Sequence, residues 1–452
     1  MSELVETMWS AVSDRPHPAL TFTGDAVLTS AYAVSEFASA AIAVAGLAAG
    51  DTVVSRPLAD AWFGQALRPV GWELPSPWDS LSDIYRCADG WIRLHTNAPH
   101  HRLAALLVLG VVDRSAPLGR ATLLGSEPEP EHDRAAESAA ERADVEAAVL
   151  TWRGEELEAE VVEAGGAAAV LRSPADWARH PQGMAVAQEP LIAWQSTEES
   201  DAEVGFTVLD LTRVIAGPVA TRFLAGLGAD VLRLDPPDWN EPAVSPEMTL
   251  GKLAARMNFH DAGGMRKLGL LIRQADVIVH GYRADALERL GLGDEQLALM
   301  KPGLVSVAIN AYGWTGPWRN RRGFDSLVQM SSGIAHNGDE KPTPLPVQAL
   351  DHATGYLAAA AALEGLRRRR ETGRGSIARL SLARTALSLP SANPVEPAPV
   401  VEPVETSRRE TPWGPADILA SPITINGTPL HWERAPRDLG ADKPVWTPVP
   451  TP

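Results

Sequence analysis

The sequence predicts an α/β protein: a doubly wound, Rossmann-like parallel sheet domain with a second, smaller α+β domain. Three observations predict it. From Thr207 onward, short apolar runs alternate with helical stretches, the βαβ pattern of a parallel sheet with right-handed crossovers. Before that point, turn punctuation and alternating residues mix with Ala-rich helical runs. A length of 452 residues accommodates two or three domains.

The first region, residues 1–198, reads as the α+β part with an N-terminal helical segment. Gly24–Ala49 is Ala-rich and closed by Gly50. A Pro- and Trp-bearing connection follows, then the turn Cys87–Gly90 and the alternating Trp91–Thr96. His100 opens a helix that ends at Gly110. Leu124–Ala143 is Glu-rich and reads as solvated surface. Asp144–Trp152 and Gly154–Ala164 read as amphipathic helices, and Gly165-Gly166 breaks the second. The acidic stretch Thr197–Glu203 marks a boundary.

The sheet domain spans 199–390. Its predicted strands are Thr207–Thr212, Ala229–Leu234, Asp276–His280, Leu304–Ala311 and Ala378–Leu382. Helices are expected after Pro218, over Met265–Gln274, Ala284–Leu290, Asp294–Met300, Phe324–Ser332 and Ala353–Arg370. Residues 391–410 are Pro/Glu-rich and read as an extended linker. Residues 411–452 read as a tail of short strands packing back on the body.

Composition narrows the function. A net charge of −17 argues against nucleic acid and anionic membrane as partners. The single cysteine, Cys87, excludes an intrachain disulfide, and His95, His100 and His101 have no carboxylate or thiol at a metal-site spacing, so no metal is expected. No signal peptide and no membrane span are read, and a cytoplasmic protein is expected. No GxGxxG follows the first strand of the sheet domain, and no P-loop, Gly-x-Ser-x-Gly or His-Glu-x-x-His occurs.

A ligand in an open α/β sheet binds beyond the carboxyl ends of the strands. The loops there carry Arg213, Arg283, Arg319, Arg321 and Arg322, which suggests a phosphate-bearing ligand or, equally, ordinary surface arginine. Asp351 stands before the Ala-rich helix. Its residue type and position allow two roles, a helix N-cap or a carboxylate aimed at the ligand edge, and the two are compatible.

Four stretches in this order resemble class III CoA-transferases, the formyl-CoA and carnitine-CoA transferase family. They are LDLTRVIAGPVATRFLAGLGADVLRLDPP, ADVIVHGYRADALERLGLG, GWTGPWRNRRGFDSLVQMSSG and TGRGSIARLSLARTAL. The resemblance implies a transferase that moves CoA between carboxylic acids, with Asp351 as nucleophile. It implies acyl-CoA and carboxylic acid substrates, no permanently bound cofactor, and a homodimer. It places CoA contacts on Arg213, Ile215, Ala216, Met257, His260, Gly281, Tyr282, Arg283, Arg289, Arg322, Phe324 and Asp325.

Three departures stand out. Ile215 replaces a polar side chain of the formyl-CoA branch. The segment after Gly251-Lys252 reads LAARMNFHDAGG where a basic pair and a strand are usual. The small-domain-like region comes first, as in a permuted chain or half of a tandem. A non-catalytic acyl-CoA-binding homologue is therefore the alternative. A racemase is disfavoured, because Gly323-Phe324-Asp325 stands where that branch has Gly-His-Asp.

Overall fold

The computed structural model describes residues 1–112, 131–200, 203–283, 285–338, 340–391 and 405–446, with 131–138 described as backbone only. The chain forms two compact units: Met1–Pro75, Ala185–Asn320 and Leu345–Pro452 make the first, Ser76–Met184 and Arg321–Pro344 the second. This division differs from a boundary near residue 198. The N-terminal segment sends its helix Val34–Leu47 against the long helix Ala349–Thr372, and Ala-rich faces on both let them pack closely.

The first unit is built on a seven-stranded sheet. Its strands are β1 (Ala193–Glu199), β2 (Thr207–Leu211), β3 (Asp230–Asp235), β4 (Leu253–Arg256), β5 (Val277–His280), β6 (Val305–Asn310) and β7 (Arg374–Ser381). Their order is β4-β3-β2-β5-β6-β7-β1. All neighbours are parallel except β1, which lies antiparallel on β7. The central parallel strands β2, β5 and β6 are largely apolar and almost wholly buried, as strands buried on both faces are. The strand order reverses between β2 and β5, so the crevice rule points to the loops that follow these two strands.

The α/β class stands, and two strands of this sheet were not expected. β1 (AWQSTEE) is polar, as suits an edge strand with one neighbour. β4 occupies the first four residues of the altered LAARMNFHDAGG segment. Of the linker stretch 391–410, residues 392–404 lie outside the described residues, and Thr406–Thr411 is a strand paired with Gly414–Leu419. In the tail, Ile423–Ile425 pairs with Thr52–Ser55 of the N-terminal segment.

The second unit is α+β. A three-stranded antiparallel sheet (Ile84–Cys87, Gly90–Leu94, Ala168–Val170) is covered by helices Pro99–Leu109, Glu131–Leu150 and Gly154–Glu163. Part of the Glu-rich 124–143 stretch lies outside the described residues; the rest opens the helix Glu131–Leu150. No helix of the described residues is long and apolar enough to cross a membrane.

Candidate active site at the carboxyl edge of the sheet

Asp351 lies in the first turn of the helix Ala349–Thr372. It is not the N-cap. Gln348 holds that position without a side-chain bond, and Asp351 is the third helical residue. Ala349 and Leu350 are good helix formers just beyond Pro346, so the helix starts earlier than expected. The carboxylate is nearly buried, with 8% of the residue exposed. It sits where the helix dipole favours negative charge by about 0.3–1 kcal/mol.

Packing fixes this turn from two sides. Gly355 follows Asp351 by four residues, on the same helical face. A Cβ on Gly355 would run into the Ala216 carbonyl oxygen and come within 2.9 Å of the Val219 Cβ. The first turn of helix Ala216–Gly226 therefore rests directly on the turn after Asp351. From the other side, Phe63 of the N-terminal segment stacks on His352 at 5.0 Å and on Tyr356 at 5.9 Å. Arg222 lies over the Trp62 ring at 4.6 Å and pairs with Glu247, whose second oxygen accepts the Ala66 N–H at 3.0 Å. Sequence reasoning missed Phe63 and Glu247; only the aromatic cluster Trp62-Phe63 gave a hint.

Burial pulls the His352 imidazole down to about 3, helped by Arg222. It is neutral in the physiological range and a weak base.

Beneath the loop after β2 lies a buried ion pair. Lys252 Nζ donates to Asp210 Oδ2 at 3.0 Å, to Pro218 O at 2.9 Å and to Thr221 Oγ1 at 2.6 Å. Burial draws the Lys252 ammonium down to about 8 against the pull of Asp210. Burial would raise the Asp210 carboxyl, but Lys252 and Arg233 outweigh it and leave it below the usual range. Both groups are charged at neutral pH, and Lys252 serves the fold.

The loop residues after β2 and β5 come together. The Arg213 guanidinium lies over the Trp239 ring at 4.9 Å and the Tyr282 ring at 5.8 Å. Burial raises the Tyr282 phenol, with Arg213 opposing. Ile215 is the N-cap position of helix Ala216–Gly226 and makes no side-chain cap bond. Gly281 and Arg283 are exposed. Arg289 is exposed and paired with Asp285 at 2.5 Å.

Beyond β4, His260 is exposed, whereas Met257 is buried and packs with Leu234, Phe259 and Leu271.

Arg322, Phe324 and Asp325 belong to the second unit. Arg322 donates to the Gly165 carbonyl at 2.7 Å, Phe324 stacks on His95 at 3.8 Å, and the buried Asp325 accepts from Gln329 at 2.5 Å. Arg321 donates to the Ala168 carbonyl at 2.9 Å and pairs with Glu158 at 3.0 Å. Of the five loop arginines, Arg213, Arg283 and Arg319 belong to the sheet unit and Arg321 and Arg322 to the second unit. Among the described residues, no group of three or more His, Cys, Asp or Glu is placed to hold a metal ion.

Residues 204–424 match the sequence profile of CoA-transferase family III. Succinyl-CoA:glutarate CoA-transferase of Mus musculus is 34% identical over 203 residues, 40% of this chain and 47% of that protein. Acyl-CoA transferase of Gibberella moniliformis is 29% identical over 321 residues, 64% of this chain and 53% of that protein. The probable fatty acyl-CoA transferase Rv3272 of Mycobacterium tuberculosis is 28% identical over 263 residues, 51% of this chain and 66% of that protein. A crystal structure of Rv3272 aligns at a TM-score of 0.39 and 29% identity, over 42% of this chain and 56% of that one. The chain spans about half the length of the curated relatives it matches.

Proposed function

We propose that this chain transfers CoA between carboxylic acids, with Asp351 as the nucleophile, because residues 204–424 match the profile of CoA-transferase family III. The observation that carries the reading is the seat of Asp351: a nearly buried carboxylate on the first turn of a long helix, fixed by Gly355 against Ala216.

A carboxylate can attack a thioester carbonyl without losing a proton first. The Asp351 carboxylate adds to the acyl carbonyl of acyl-CoA, and the C–S bond breaks. An acyl-aspartyl anhydride and CoA thiolate result. The thiolate adds to the aspartyl carbonyl of the anhydride and expels the first acid as its carboxylate, leaving an aspartyl-CoA thioester. An incoming carboxylate repeats the sequence in reverse: it displaces the thiolate to form a new mixed anhydride. The thiolate then takes the new acyl group and frees Asp351. No step requires a base, in keeping with a neutral His352. Helix-start dipoles favour the anionic intermediates.

The reading takes acyl-CoA and a carboxylic acid as substrates, with no permanently bound cofactor, in a cytoplasmic homodimer. Its test is CoA transfer across a panel of acyl-CoA donors and acids. Asp351→Ala is expected to abolish transfer while CoA binding survives. Absence of transfer by the wild type with every pair would favour the non-catalytic acyl-CoA-binding alternative.

A further inference from the structure

We propose that Glu241 is a positioning residue that holds Val214 in a left-handed conformation and so sets the turn of helix on which Asp351 stands; this rests on the reading of Asp351 as nucleophile. Val214 has φ +66°. Among the described residues the only other non-glycine residue with positive φ is Asn426, a type that tolerates it. A β-branched valine adopts it only where its surroundings over-determine it.

Glu241 supplies that constraint. Its Oε2 accepts the Val214 N–H at 2.9 Å and the Trp239 Nε1–H at 3.1 Å. Its Oε1 pairs with Arg233. Arg233 is fully buried and donates twice to Asp235 at 2.8 and 3.0 Å, which ties the carboxylate to the end of β3. The Glu241 side chain is only 8% exposed.

The consequence runs forward along the chain. Ile215 gives helix Ala216–Gly226 no side-chain cap, so the backbone at Val214 sets its entry. The loop is tight: a Cβ on Gly217 would collide with Thr212. The next contact is the Ala216 carbonyl on Gly355, one turn from Asp351. A loop released at Val214 shifts the surface against which Asp351 is aimed. Glu241 itself has no role in the bond changes.

Glycine adopts φ +66° without penalty, so Val214→Gly removes the need for the latch. The test compares Glu241→Ala, Glu241→Gln and the double variant Glu241→Ala/Val214→Gly in CoA transfer and in urea unfolding. Glu241→Ala is expected to lower kcat by about tenfold or more with KM for acyl-CoA nearly unchanged, as a misplaced reacting group does. The double variant should recover most of that loss, and Glu241→Gln, which keeps one acceptor, should fall between. Full kcat in Glu241→Ala, or no recovery in the double variant, overturns the proposal.

If Glu241→Ala does not fold, the comparison moves to Glu241→Gln with and without Val214→Gly. If the wild type transfers no CoA, the Asp351 reading has failed, and the latch is judged by unfolding alone. There, removing Glu241 should shift the midpoint less in the Val214→Gly background; equal shifts refute it.

Discussion

The Ala216 carbonyl occupies the space a side chain on Gly355 would need, so the two helices of the candidate site meet there backbone to backbone. Alanine at 355 would improve helix propensity by about 1 kcal/mol yet overpack the contact by about 1–3 kcal/mol. Because the obstructing atom belongs to the backbone, we expect Gly355→Ala to lower the urea midpoint and to cut transfer more steeply than stability. A variant as stable and as active as the wild type would show that the helices can part freely.

Lys252 and Asp210 are fully buried and paired. Removing one partner leaves the other charge uncompensated, at a cost of about 3–5 kcal/mol. Lys252→Met is thus expected to destabilise the sheet unit strongly in urea unfolding. Lys252→Met/Asp210→Leu should recover part of the loss. Undiminished stability in the single variant would mean that the ammonium contributes nothing to the fold.

Four buried imidazoles predict acid sensitivity. Burial lowers His95 to about 3, His101 to about 2, His280 to about 4 and His352 to about 3. The unfolded chain binds these protons near pH 6.5 and the folded chain only well below it, so stability falls as pH drops from about 6.5 towards 4, by up to about 1.4 kcal/mol per pH unit for each group. The carboxylates act mostly below this window. Urea midpoints at pH 7.5, 6.5 and 5.5 should decline, and His352→Gln should flatten the slope. A flat profile would contradict the neutral burial of these rings.

Much of the sheet was legible because strands buried on both faces are predominantly apolar runs: TVLDL, VIVH and VSVAIN announce β2, β5 and β6. β4 and β1 were not. LAAR is short and ends in a charge, and AWQSTEE is an edge strand whose polarity imitates a loop. Asp351 was legible from its place before an Ala-rich helix and from the family likeness. Glu241 and Phe63 were not, because one acts on a backbone N–H across 27 residues and the other on a ring nearly 300 positions away. Composition and periodicity carry no trace of such contacts.

The most direct test of the central account is chemical capture at Asp351. The protein is incubated with acyl-CoA, treated with hydroxylamine and digested for peptide mass spectrometry. The account predicts a hydroxamate on Asp351 that requires acyl-CoA and vanishes in Asp351→Asn. Steady transfer of CoA with Asp351 unmodified, or with the label on another carboxylate, would contradict it.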